Sequence, residues 1–221
     1  MRLEDKDGSV IMLAQELSFF WSSIQNSAPN LKSMTNIKRL DRPLLILDLD
    51  ETLIHAVQGR EVPSSTDAFL IEGYSVSCRP DLALFLDYCF KYFKVAIWTS
   101  STADYCAQIL DVIADGRSFE FVWARDRCSR RYEPELQSYY WHKALKKVLR
   151  LGYQKERILA IDDSPEKWRS SYGNLIRVNE FAGDPEDDEL VQLMHYLEKI
   201  RGEPEFRTIE KRNWRRAESP Y

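Results

Sequence analysis

The stretch PLLILDLDETLIH, from Pro43 to His55, decides how the rest of the chain is read. Leu44 to Leu47 form a short aliphatic run of the kind that builds a strand buried on both faces. The run stops at Asp48-Leu49-Asp50-Glu51, where three of four residues carry carboxylates. Acids crowded at the end of a buried strand repel one another. They cannot all stay ionised in a partly dry cleft unless a cation joins them.

Outward from this segment, apolar runs recur with helical stretches between them. Extended chain is predicted over residues 69–77, with a turn at Glu72-Gly73, and buried strands over 95–98, 119–123, 157–161 and 175–178. Arg79-Pro80 opens a helix carrying Leu82, Leu86, Cys89 and Phe90 on one face. Ser101-Thr102-Ala103-Asp104 reads as a capping box before the next helix. Trp141, Leu145, Val148 and Leu149 predict a helix with Lys143 in its first turn. Ser164-Pro165 predicts another, with Pro at its first position. Residues 187–200 predict a last amphipathic helix. The polar and aromatic residues 125–140 read as an inserted hairpin. Strands alternating with helices imply an α/β domain around a mainly parallel sheet. Such sheets bind ligands beyond the carboxyl ends of their strands.

That rim can be read strand by strand. The first strand delivers Asp48 and Asp50, the second Thr99 and Ser100, and the fourth Asp162 and Asp163. Lys143 opens the basic helix between them. Taken singly, each has a plain structural reading: Thr99, Ser100, Asp162 and Asp163 as helix caps, Lys143 as a solvated lysine. Gathered on one rim, they form an oxygen-only donor set with no His or Cys nearby. Such a set selects a hard ion, Mg²⁺. Mg²⁺ beside an ammonium group favours a phosphoryl group. Phosphoryl transfer needs an in-line nucleophile, an acid for the leaving oxygen and positive charge on the equatorial oxygens. Asp48 can be the nucleophile. Asp50 can protonate the leaving group and then deprotonate water.

Asp48-Leu49-Asp50-Glu51-Thr52 is a DxDxT motif, and the chain resembles the haloacid dehalogenase (HAD) phosphatases. LLILDLDETLIHA, VAIWTSS, FVWARDRC and RILAIDDSPEKWRSSYGNLIRV narrow the resemblance to the FCP/SCP type, the CTD phosphatase-like and NLI-interacting-factor-like group. The likeness runs from about Pro43 to about Ile200, and the C-terminal stretch resembles prokaryotic members. It implies a three-layer Rossmannoid fold with no large cap, a flap hairpin within residues 56–78 and a small β insertion at 125–140. It implies Asp48 as nucleophile and Mg²⁺ ligand, and Asp50 as acid/base and Mg²⁺ ligand through its carbonyl. Thr99 would bind a phosphoryl oxygen and Lys143 would neutralise its charge, with Lys146 and Lys147 as other registers. Asp162 and Asp163 would hold the metal, with Asp163 favoured for direct contact where small CTD phosphatases often have Asn. Asp50 is the acid that some superfamily members lack, so its presence implies turnover to free phosphate. Glu51 reads as a bystander and His55 as structural.

The implied substrate is a phosphorylated protein. A small-molecule phosphomonoester or a nucleic-acid end is the alternative, and a non-catalytic phosphoprotein-binding module or phosphoryl transfer to another acceptor the competing activity. The chain divides into an arm over residues 1–40, with helical spacing at 10–24, a phosphatase domain over 41–201, and a basic tail over 202–221, of which residues 207–216 read as a solvated terminus. Its 221 residues carry a mild net charge of −4, which gives no broad footprint for nucleic acid. The apolar runs are too short to cross a bilayer. The acidic start MRLEDKD is unlike a secretory signal, and the four cysteines form no CxxC pair. Reduced thiols in the cytoplasm are the expectation.

Overall fold

The computed structural model describes residues 42–59, 68–71, 73–135 and 137–215. The arm expected over residues 1–40 lies outside them. In chain order the elements are β1 (Leu44–Leu47), β2 (Ile54–Gln58), β3 (Ala68–Ile71), β4 (Tyr74–Cys78), α1 (Leu82–Tyr92), β5 (Lys94–Trp98) and α2 (Ala103–Ile113). There follow β6 (Val122–Trp123), β7 (Ser129–Glu133), β8 (Ser138–His142), α3 (Lys146–Leu149), β9 (Ile158–Asp162), β10 (Leu175–Arg177) and α4 (Glu189–Ile200).

Five strands form a central sheet in the order β10-β9-β1-β5-β6, and every pairing is parallel. Alternation along each strand divides the core into two layers. Leu45, Leu47, Val95, Ile97, Leu159 and Ile161 pack with α1, α2 and α4. Leu44, Ile46, Ala96, Trp98, Ile158 and Ala160 pack on the other face with Leu145, Val148 and Trp168. Each fully buried aliphatic side chain contributes about 1.5–3 kcal/mol. That is why a strand of four residues can be held so firmly.

Register then places the acids. Leu44 to Leu47 pair in step with Ile158 to Ile161. The next residues in step are Asp48 and Asp162, on adjacent strands and on the same face of the sheet. Neighbouring strands lie about 4.8 Å apart, so the two carboxylates are forced together by the hydrophobic register beneath them.

Two small sheets flank this core. β2, β4 and β3 form a three-stranded antiparallel sheet, where the sequence suggested a flap hairpin. Gly73 turns the chain between β3 and β4 at φ +84°, a conformation that strains any other residue. β7 and β8 form the insertion expected at residues 125–140.

Several expectations are corrected. Trp141 and His142 belong to β8, paired with Arg130 and Ser129, so the helix shrinks to Lys146–Leu149 and Lys143 lies ahead of it. The five-pair β7–β8 ladder, with Tyr132 packed on Tyr139 at 5.1 Å, takes Trp141 and His142 out of the helix that their spacing suggested. The third strand is only Val122–Trp123. The segment after Ser164 is a 3-10 turn run, Pro165–Asn174, broken at Ser171. Residues expected as a solvated tail fold back onto the domain. Phe206 and Trp214 are buried, and the Trp214 indole donates to the Arg177 carbonyl at 2.8 Å. Their apolar area outweighs the basic residues around them.

Candidate active site

At the carboxyl ends of β1, β5 and β9 lie Asp48, Asp50, Thr99, Asp162 and Asp163, with Asp162 the last residue of β9. Asp48 and Asp162 are buried. Lys143 spans the pair, with Nζ 3.0 Å from Asp48 Oδ1 and 2.6 Å from Asp162 Oδ2. Its backbone N–H donates to the Lys167 carbonyl at 2.8 Å, which anchors it without a helix. Burial pushes the Asp48 carboxyl up, but Lys143 and Lys167 outweigh that and hold it well below the usual range. Burial and the charge of Asp48 push Asp162 the other way, upward. Asp162 is fixed by the Ser164 N–H at 3.0 Å and the Trp168 indole N–H at 2.7 Å. Asp163 receives the Thr52 hydroxyl at 3.1 Å and the Ser164 hydroxyl at 2.8 Å.

Asp50 points into a separate hydroxyl-lined niche. Ser101 donates to its Oδ2 at 2.6 Å and Tyr105 to its Oδ1 at 2.8 Å. Thr99 also reaches Asp50 Oδ2, at 3.3 Å, and accepts from the Ser101 N–H at 3.0 Å. The sequence reading missed Ser101 and Tyr105 as site residues. Ser101 is not the helix cap: the cap position is Thr102, with no side-chain capping bond. Glu51 takes a positive φ of 57° and its carbonyl accepts from the Phe181 N–H at 2.7 Å. Its side chain is drawn into the cluster's field. Burial and the charges of Asp50 and Asp163 push its carboxyl up to about 7.

Lys167 is the other residue missed. Its Nζ lies 2.8 Å from Asp48 Oδ2, 3.5 Å from Asp162 Oδ1 and 3.9 Å from Asp163 Oδ1. Its spacing of four from Asp163 was the one available hint. Among the neighbouring cysteines, burial and then Asp50 push the Cys106 thiol up to about 12, so it is inert at neutral pH.

The donors fit a hard divalent ion. Asp48, Asp162 and Asp163 each offer an oxygen, and these atoms lie within 4.8 Å of one another. All are carboxylate oxygens, the ligand type that Mg²⁺ prefers. With Asp50 and Glu51 nearby, five carboxylates in all face two ammonium groups, an excess of negative charge that a divalent ion would relieve.

Residues 43–207 match the family model described as NLI interacting factor-like phosphatase. A CTD nuclear envelope phosphatase 1 homolog of Drosophila melanogaster is 27% identical over 195 residues, covering 82% of this chain and 76% of that protein. A probable C-terminal domain small phosphatase of Dictyostelium discoideum is 28% identical over 164 residues, covering 71% of this chain and 50% of that protein. Among solved structures, that of Fcp1, an essential RNA polymerase II CTD phosphatase, is similar at a TM-score of 0.50 and 21% identity. The likeness is one of fold. It covers 77% of this chain and about half of that one, 54%.

Proposed function

The chain belongs to the NLI interacting factor-like phosphatases, and on that premise we propose that it removes phosphoryl groups from protein side chains through an aspartyl-phosphate at Asp48. The observation that carries this reading is the division of labour between two acids two residues apart. Asp48 is held at the rim by Lys143. Asp50 is held apart by Ser101 and Tyr105.

Asp48 attacks phosphorus, and the bond to the leaving oxygen breaks. Asp50 gives that oxygen its proton. It then takes a proton from the water that attacks phosphorus, the Asp48–phosphorus bond breaks, and phosphate leaves. Lys143 places positive charge beside the nucleophile. The Thr99 hydroxyl has one proton, which points to Asp50 in this structure and turns to the phosphoryl group when substrate binds. Asp48, Asp162, Asp163 and the Asp50 carbonyl would hold Mg²⁺, which supplies positive charge to the phosphoryl oxygens.

The substrate class rests on access. Among the described residues only the small β2-β4-β3 sheet and the β7-β8 hairpin are inserted into the core, and no larger cap is found among them, which suits a side chain on a protein. The named relatives are phosphatases of this group. Among the described residues no helix is long and apolar enough to cross a membrane. Cys89, Cys106 and Cys128 are buried thiols, which suits the reducing cytoplasm.

The test is release of free phosphate from p-nitrophenyl phosphate and from phosphopeptides, with Mg²⁺ and with EDTA. Asp48→Asn abolishes turnover. Asp50→Asn keeps the fold and lowers the rate by about 10²–10⁴-fold. Metal-independent hydrolysis, or wild-type rates in either variant, would refute the assignment.

A further inference from the structure

We propose that Lys167 is a tethered counter-cation that competes with the divalent ion for the oxygens of Asp48, Asp162 and Asp163. The proposal rests on the reading that these three carboxylates hold a metal.

Two lysines divide the same carboxylates. Lys143 takes Asp48 Oδ1 and Asp162 Oδ2. Lys167 takes Asp48 Oδ2 and faces Asp162 Oδ1 and Asp163 Oδ1. Only Lys167 therefore addresses all three residues whose oxygens lie within 4.8 Å of one another. Mg²⁺ needs its ligands at about 2.0–2.1 Å, so the ion and the Lys167 ammonium claim the same space.

The two lysines differ in their freedom to move. The Lys143 side chain is fully buried, whereas that of Lys167 is 14% exposed. The Lys167 backbone is held at both ends. Its N–H donates to the Ser164 carbonyl at 3.2 Å, and its carbonyl accepts from the Lys143 N–H at 2.8 Å. A flexible four-carbon stem rooted this way lets the head leave while the root stays. Without metal, the ammonium keeps the acids together. With metal, it swings toward the rim. The cluster thereby stays folded when metal is scarce and binds metal more weakly than its acids alone would.

Isothermal titration of Mg²⁺ into the full chain, without substrate, tests this against Lys167→Met and Lys167→Arg. Lys167→Met binds about ten-fold tighter or more, since removing a nearby like charge favours the cation. Lys167→Arg keeps the wild-type affinity within a few-fold. In EDTA, Lys167→Met melts below wild type, and Mg²⁺ raises its melting temperature more than that of wild type. Should Lys167→Met not fold without metal, Lys167→Gln purified with Mg²⁺ and competed against a chelator of known affinity gives the same comparison. If the neutral variant binds Mg²⁺ no tighter than wild type, the proposal is overturned while the metal site stands. If neither protein binds Mg²⁺, the metal reading itself fails, and the competition with it.

Discussion

Thr52→Val probes how the two halves of the site are joined. Thr52 is fully buried just after the acids of β1. Its hydroxyl donates to Asp163 Oδ1 at 3.1 Å and accepts from the Asp163 N–H at 3.2 Å. One hydroxyl thus ties two loops 111 residues apart. Its carbonyl accepts from Arg79 at 3.0 Å, and Arg79 grips Asp187 through two hydrogen bonds of 2.7 and 2.8 Å. Valine fills the same space but offers neither donor nor acceptor. The lost bond to a charged acceptor is worth about 1.5–3 kcal/mol, and the unmet N–H of Asp163, partly buried, costs at most about 1–3 kcal/mol. The two overlap, so about 2–4 kcal/mol is the expected loss. At about 2–4 °C per kcal/mol for a domain of this size, melting in EDTA falls by roughly 4–16 °C. Asp163 also loses its orientation, and loss of such an outer partner weakens metal binding about 10–100-fold. Thermal denaturation and Mg²⁺ titration measure both effects, and Thr52→Ser, which keeps the hydroxyl, restores most of each. A Thr52→Val protein that melts within about 2 °C of wild type and binds Mg²⁺ with unchanged affinity would refute the coupling.

The C-terminal segment and His142 give two further tests. Trp214→Ala empties a buried site against Tyr196, whose ring centroid is 5.7 Å away, and removes the bond to Arg177. A loss of about 3–5 kcal/mol is expected, or roughly 6–20 °C of melting temperature; an unchanged melting curve would mean that residues 202–215 add nothing to the fold. His142 has Nδ1 3.0 Å from the Lys167 carbonyl and Nε2 3.0 Å from the Ser170 hydroxyl. A carbonyl only accepts, so Nδ1 carries a proton, and in the neutral ring Nε2 accepts from the Ser170 hydroxyl. Burial, with Arg131 and Lys146 nearby, lowers its pKa against the opposing pull of the Lys167 carbonyl. A lowered folded pKa means that the unfolded chain gains its proton first as pH falls. The stabilisation is complete above the ordinary value of 6.5 and is lost as pH drops through the folded value. Wild type therefore loses more melting temperature between about pH 7.5 and 5 than His142→Gln does. Parallel curves for the two proteins would contradict the neutral ring.

The legible parts of the site are those written in local chemistry. Asp48, Asp50 and Thr99 follow short buried strands, and Asp162 and Asp163 follow or close another. Apolar runs that end abruptly in polar residues mark such positions without any knowledge of packing. Lys143 is legible as the start of a basic stretch, but the helix expected around it is shorter and begins after it. The spacing of Trp141, Leu145 and Val148 fits a helix, and only pairing with β7 draws Trp141 into a strand. Ser101 was hidden because a hydroxyl at a helix start has an ordinary capping use, and Tyr105 because a tyrosine on a helix is ordinarily read as packing. Trp214 was hidden because its neighbours in sequence are charged, although its neighbours in space are apolar.

By itself the sequence determined the alternation of strand and helix, the family and the acids at the strand ends. Each depends on patterns within a few residues, which solvent and backbone geometry enforce locally. Only the tertiary structure decided which hydroxyls hold Asp50, which carboxylates Lys143 joins and that Lys167 enters the cluster. Lys167 meets Asp48 across 119 residues of chain. That meeting is set by the β1–β9 register and by the turn at Ser164, and no local pattern encodes the reach of one side chain across both.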